Sequence, residues 1–389
     1  MPSNTFMQKI PFLLLILIGG AWSFYSLQFL NQGIFWDLGI YEKAVNVYLQ
    51  GGNPYELNGY LSFVYHPIVL RLMSIFGGHL NTVLIGFYIL SIVFFLKSIN
   101  SNRSWWLYIF LAFAYCGIGT ISIGSGNVTI FFHLILLSIL LGSVEQNNQT
   151  YWRKSLFWLS TTTIIFSFVK PYMLAYLLIP LISSWKTPQQ KSIWSLTLLL
   201  AILFALIMGC GALYFGAEFQ SFLNAVQGQT IGKRDLGYGI VMYFYEYYLS
   251  ASTLLYRAFV LHFVILAAIF SLTLVMVNRA KMVNLPRFAL LLYFLLTILN
   301  PRLKVYDLFP ALIALFIFFS FYQTRFNRWI FLMAYAISLS QLAGTALFAN
   351  TGILSDPLNA YYLTMGLVFI VAMNGFLKSP ISPNKVQGL

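Results

Sequence analysis

The sequence predicts an all-α, polytopic membrane protein, a single integral membrane domain over residues 1–389 with about twelve transmembrane helices. Three observations predict it. Hydrophobic residues make up 60% of the chain and charged residues 8%, against about 25% charged in an average soluble domain. One soluble core does not absorb that much apolar surface, and a disordered chain needs the opposite composition. The apolar residues fall in runs of about 20, the length that crosses a bilayer as a helix with its backbone bonds satisfied internally. The excess of basic residues falls on alternate loops, which supports an even number of crossings.

The runs are about 10–30, 79–98, 105–123, 127–143, 156–169, 172–184, 193–215, 252–277, 288–299, 308–322, 329–349 and 358–377. Those at 156–169, 172–184 and 288–299 are short for a crossing, which is tolerated where a helix lines protein or a water cavity. With the N-terminus in the cytoplasm, fourteen of the 22 basic residues fall on the inner side with one acid, Glu145; the outer side holds eight of each sign. The whole net charge of +13 is then a topology signal. It is not a nucleic-acid signal, and no nucleic-acid partner is expected. The expected localisation is a bacterial inner membrane, multi-pass, with both termini cytoplasmic. Cys116 and Cys210 both lie in apolar runs and give neither a disulfide framework nor metal-ligand spacing.

Eight of the nine acids fall on the outer face. Acids kept near lipid tend to be functional, so chemistry is expected at that surface, where the long loops 31–78 and 216–251 lie. In the first loop, Leu38, Tyr41, Ala44, Val45 and Tyr48 fall at helical spacing, with Glu42, Lys43, Asn46 and Gln50 opposite. That pattern predicts an amphipathic helix lying at the interface and ended by Gly51-Gly52. A second juxtamembrane helix, opened by Pro67, is expected over 65–77. Asp37 stands just ahead of the first helix. It either caps that helix or holds a carboxylate at the water–lipid boundary, where it takes a proton from a hydroxyl.

The string Asp37-x3-Tyr41-x2-Ala44-x6-Gly51-x2-Pro54-Tyr55, followed by Tyr65-His66-Pro67, resembles the first outer loop of the GT-C glycosyltransferase superfamily. Within it, the polyprenyl-phosphate-mannose-dependent mannosyltransferases of the phosphatidylinositol-mannoside type are the most similar. Gly124-Ser125-Gly126-Asn127 resembles that family's G-Q-x-N turn, with Ser125-Gly126 a departure, and Lys170-Pro171 resembles its K-P step. Asn300-Pro301-Arg302-Leu303-Lys304-Val305-Tyr306-Asp307 resembles its later outer loop. The resemblance implies an outward-facing catalytic cavity with a first-loop aspartate, here Asp37. It implies transfer of a hexose, mannose by family default, from a polyprenyl-phosphate sugar to a hydroxyl of a lipid or glycan acceptor.

Such a reaction has a phosphate leaving group, so one base suffices, and one base implies inversion; glycoside hydrolysis needs two carboxylates. The departing phosphate needs cations. Lys170, Arg302 and Lys304, at outer helix ends, are the expected donor-phosphate contacts, with Arg71 a further one. Lys170 snorkelling to the interface, and ion pairing of Arg302 or Lys304 with Asp307, are the competing roles. Tyr41, Tyr55, His66, Asn127 and Tyr306, on the matching segments, are the expected substrate contacts. His79, His133 and His262 lie on helices without metal spacing, and no nucleotide-binding glycine loop occurs. Hence no metal and no cofactor is expected; the partners are donor, acceptor and membrane lipids. A transporter or flippase of lipid-linked sugars is the competing class, disfavoured because the acids and their basic neighbours gather at the outer surface rather than at the midplane, and by the lack of an internal repeat.

Overall fold

Within the residues it describes, the computed structural model forms helix along each apolar run. It describes residues 4–27, 33–56, 63–99, 103–146, 148–185, 191–229, 255–279, 284–300, 303–347 and 357–378, and among these no strand occurs. The helices are α1 (Asn4–Ser26), α2 (Trp36–Leu49), α3 (Pro67–Ser74), α4 (Leu80–Ile99), α5 (Arg103–Ala114), α6 (Ile118–Ser125), α7 (Val128–Gln146) and α8 (Gln149–Val169). They continue with α9 (Leu178–Trp185), α10 (Lys191–Gln227), α11 (Leu255–Arg279), α12 (Leu285–Ile298), α13 (Val305–Ser320), α14 (Arg325–Leu347) and α15 (Pro357–Lys378). Four stretches are long and apolar enough to cross a membrane: Gly77–Ile99, Ser104–Ser125, Val128–Gln146 and Lys191–Gln227. The apolar segments of other helices, Ile10–Ser26 and Val260–Met276 among them, are 10–17 residues long.

Helix α13 is the centre. It packs against α5, α6, α7, α12 and α15, and every residue from Asp307 to Phe319 is buried. α12 beside it is buried on all sides from Phe288 to Thr297, so the short run at 288–299 lies against protein. By contrast α4 and α10 turn bare apolar faces outward, with Leu90 64% and Leu213 86% exposed, as lipid-facing helices do.

Two sequence boundaries are corrected. The helix that holds the run at 156–169 is longer than the run: Asn148 Oδ1 accepts from the Thr150 N–H at 2.8 Å and starts α8 seven residues earlier, so that Arg153 and Lys154 lie within its first two turns. The loop at 216–251 does not begin as a loop. α10 breaks at Gly216 (φ 41°, ψ −99°), then stays helical to Gln227. This second limb packs on α3 and on the turn at Pro54–Glu56. The cluster Tyr238–Tyr248, with Lys233 and Arg234, lies outside the described residues.

The first-loop helices form as the pattern predicts. Leu38, Tyr41, Ala44 and Val45 are buried on α2, while Lys43, Asn46 and Gln50 are exposed. Glu42 takes the Asn81 amide at 2.5 Å. Pro67 opens α3, whose N-cap is His66.

Candidate functional site

Asp37 is the second residue of α2 and is 8% exposed. It does not cap the helix. The N-cap is Phe35, in the left-handed region at φ 64° without a side-chain cap bond. The Asp37 carboxylate instead accepts from Asn127 Nδ2 at 2.7 Å. Burial raises the Asp37 carboxyl above its ordinary value of 3.8; the Asn127 bond and the charges of Lys170 and Lys304 oppose that rise without cancelling it.

The Gly124-Ser125-Gly126-Asn127 segment holds this arrangement. The Gly124 carbonyl accepts the Phe35 N–H at 2.6 Å, which docks the residue two before Asp37. Gly126 ends α6 at φ 65°, and a Cβ there would lie 2.8 Å from Phe35 Cδ1, so a glycine is needed both for the turn and for the approach. Ser125 Oγ accepts the Asn127 N–H at 3.2 Å. Asn127 Oδ1 accepts the Thr129 N–H at 3.0 Å, starting α7. With its oxygen committed there, the NH2 group is the part that faces Asp37.

Among the described residues, the cations Lys170 and Lys304 lie in electrostatic range of Asp37. Pro171 prevents α8 from continuing, and Lys170 sits at the break in extended conformation. Its Nζ is 4.5 Å from the centre of the Tyr65 ring, an attraction of cation to ring face. Tyr65 is fixed by the Tyr41 hydroxyl at 2.9 Å, and its carbonyl accepts from Tyr55 Oη at 2.9 Å. Burial, then the neighbouring Tyr65 and Asp37, push the Tyr41 phenol well above its ordinary value. Tyr306 lies within range of both Tyr41 and Tyr172.

Behind these residues is an arrangement that the sequence did not single out. Asp307, 1% exposed, accepts the Lys304 N–H through Oδ2 and the Tyr172 hydroxyl through Oδ1, both at 3.0 Å. His133, expected on a helix without metal-ligand spacing, has its Nδ1 2.5 Å from the Tyr293 hydroxyl. Its Nε2 is 3.4 Å from Asp307 Oδ1, near enough for attraction but without hydrogen-bond geometry. Asp307 thereby ties the start of α13, which carries Lys304, to the segment after Lys170. The signal was its place three residues after Lys304, an N3 acid reaching back to the N-cap amide.

Other expected contacts stand apart. Arg71 pairs with Glu218 at 3.3 Å and lies 4.5 Å from the Phe215 ring centre, so it is engaged by α10. His66 Nδ1 accepts from the Ile68 N–H at 3.1 Å, and the ring packs among Phe215, Phe219 and Phe222; burial lowers its pKa. Tyr55 is engaged by Tyr65 as above and by the Phe222 ring. Arg302 lies outside the described residues. Among the described residues, no three His, Cys, Asp or Glu side chains gather as metal ligands do.

The cluster thus combines the buried Asp37 carboxylate, an amide donor to it, Lys170 and Lys304, and a wall of phenols, an arrangement able to take a proton from a hydroxyl beside a bound anion. Comparison of the chain with family models, curated proteins and solved structures gives no match.

Proposed function

We propose that the chain is a GT-C-like membrane glycosyltransferase of about twelve crossings with both termini in the cytoplasm. It moves a hexose, mannose by the resemblance, from a polyprenyl-phosphate sugar to a hydroxyl of a lipid or glycan acceptor at the outer face of a bacterial inner membrane. The observation that carries the reading is the buried Asp37 carboxylate, held by Asn127 and in range of Lys170 and Lys304.

In this mechanism Asp37 takes the proton of the acceptor hydroxyl as the oxygen attacks the anomeric carbon. The bond from that carbon to the phosphate oxygen breaks, and the polyprenyl phosphate leaves with the electron pair against Lys170 and Lys304. Attack opposite the leaving group inverts the anomeric centre. A pKa raised above the ordinary carboxyl value makes the Asp37 carboxylate a stronger base than an exposed one. The test is transfer from a polyprenyl-phosphate-mannose donor in reconstituted vesicles, comparing wild type with Asp37→Ala. Loss of transfer with donor binding retained supports the reading; retained turnover removes Asp37 from the mechanism.

A further inference from the structure

At the far end of α8 from Lys170 is a groove of about 460 Å³ lined by Thr150, Arg153, Lys154, Phe157, Ser192 and Ile193, with Trp158 and Leu196. It lies well away from the Asp37 cluster: α8 has 21 residues, about 30 Å at the usual helical rise and close to the thickness of a bilayer's hydrocarbon core. The helices α8 and α10 meet side by side here, joined by Arg153 Nη2 to Ser192 Oγ at 3.3 Å and by the hydroxyls of Ser160 and Thr197 at 2.8 Å. Those two links pair earlier residues with earlier and later with later, so the helices run parallel and both N-termini open onto the groove. Helix N-termini favour negative charge. Arg153 and Lys154 are exposed at this level, while Phe157 and Trp158, 42% and 56% exposed, provide apolar surface just beyond.

We propose that this groove binds the phosphodiester headgroup of an anionic glycerophospholipid from the adjoining leaflet. Arg153 and Lys154 meet the phosphate, and Phe157, Trp158 and Leu196 lie along the acyl chains. Positive charge joined directly to an apolar wall, at the inner interface in the topology proposed above, fits a charged lipid, whereas a free anion has no use for the wall. The site does not depend on the reaction at Asp37.

Native mass spectrometry of the delipidated full chain, titrated with phosphatidylglycerol or with phosphatidylcholine of the same acyl chains, tests this. Phosphatidylglycerol should be retained preferentially. Arg153→Gln with Lys154→Gln should weaken its binding about tenfold to thirtyfold, the loss expected of two interfacial charges. The charge-preserving pair Arg153→Lys and Lys154→Arg should keep it. Thr150→Glu replaces an exposed side chain and adds an acid in a first helical turn, where it is tolerated; it should weaken binding as well, which covers the case of a double variant that fails to fold. Equal retention of the two lipids, or unaltered phosphatidylglycerol binding in the glutamine and glutamate variants, would overturn the proposal. So would displacement of phosphatidylglycerol by millimolar inorganic phosphate, which would identify a free anion as the ligand.

Discussion

Asn127 donates its side-chain amide to Asp37 at 2.7 Å, joining the start of α7 to the start of α2. The bond matters because the carboxylate it serves is buried. A buried charge is retained where hydrogen bonds and opposite charges compensate its lost hydration.

Asp37→Asn should leave the fold intact and reduce transfer about 10²–10⁴-fold, the usual contribution of a general base. Its stability has a defined pH dependence. Burial raises the folded-state pKa above 3.8, so ionisation at this site opposes folding. That cost is full above the raised value, shrinks as pH falls through it, and is gone below about 3.8, the ordinary value. The variant should therefore equal or exceed wild type in Tm at pH 7, with the lead shrinking toward pH 4. Thermal unfolding across that range checks it; a Tm below wild type at pH 7 would contradict the sign.

Asn127→Ser separates two roles of one side chain. A serine hydroxyl still accepts from the Thr129 N–H and keeps the cap of α7, but it does not reach Asp37. Because the lost bond favours the ionised carboxylate, the Asp37 pKa should rise further, and the acid limb of the pH–rate profile should move to higher pH. The expected fall in kcat is about tenfold to a hundredfold, from a charge-assisted bond of about 1.5–3 kcal/mol. An unchanged acid limb would show that the bond does not tune Asp37.

Lys170→Gln should raise the KM for donor about tenfold and shift the acid limb in the same direction, since Lys170 lowers the Asp37 pKa. Lys170→Arg preserves the charge and the contact with the Tyr65 ring and should recover most of both. If the glutamine variant binds donor as wild type does, Lys170 is an interfacial cation and no phosphate ligand.

Gly126→Ala should destabilise the protein by about 1–2 kcal/mol through its left-handed backbone alone. The new methyl would also crowd Phe35, whose Cδ1, Cβ and Cα lie 2.8, 2.9 and 3.0 Å from it. Phe35 precedes Asp37 by two residues, so transfer should fall along with Tm. Intact activity at reduced Tm would mean that α2 absorbs the displacement without moving the carboxylate.

The helices were legible because apolar runs and amphipathic spacing are local properties: the pattern of Leu38, Tyr41, Ala44 and Val45 is the buried face of α2. Boundaries were less so. Arg153 and Lys154 look like the end of an apolar run, yet α8 continues through them because Asn148 caps it upstream. Within the site, residues with short-range motifs were visible, while those that act over distance were not. Nothing near Arg71 in sequence announces Glu218, 147 residues away, and nothing near His66 announces the phenylalanines of α10. Asp307 was noticed only as a counterion. Its contact with Tyr172 spans 135 residues, and only the folded chain brings them together.

Asp307 gives the last prediction. Its two oxygens serve two donors, Lys304 N–H and Tyr172 Oη, in a place with almost no access to water. Asp307→Asn keeps the shape but only one acceptor oxygen, so one donor loses its partner at a cost of about 1–3 kcal/mol. Tyr172→Phe removes one donor with its acceptor left partly satisfied, and should cost less, about 0.5–1.5 kcal/mol. Since Asp307 joins the segment after Lys170 to the turn bearing Lys304, its replacement should also raise the KM for donor more than Tyr172→Phe does. The double variant decides between positioning and simple stability. If Asp307 works through Tyr172, the effects on KM are coupled and the pair falls short of the sum of the single changes; additive effects would mean that Asp307 holds Lys304 alone.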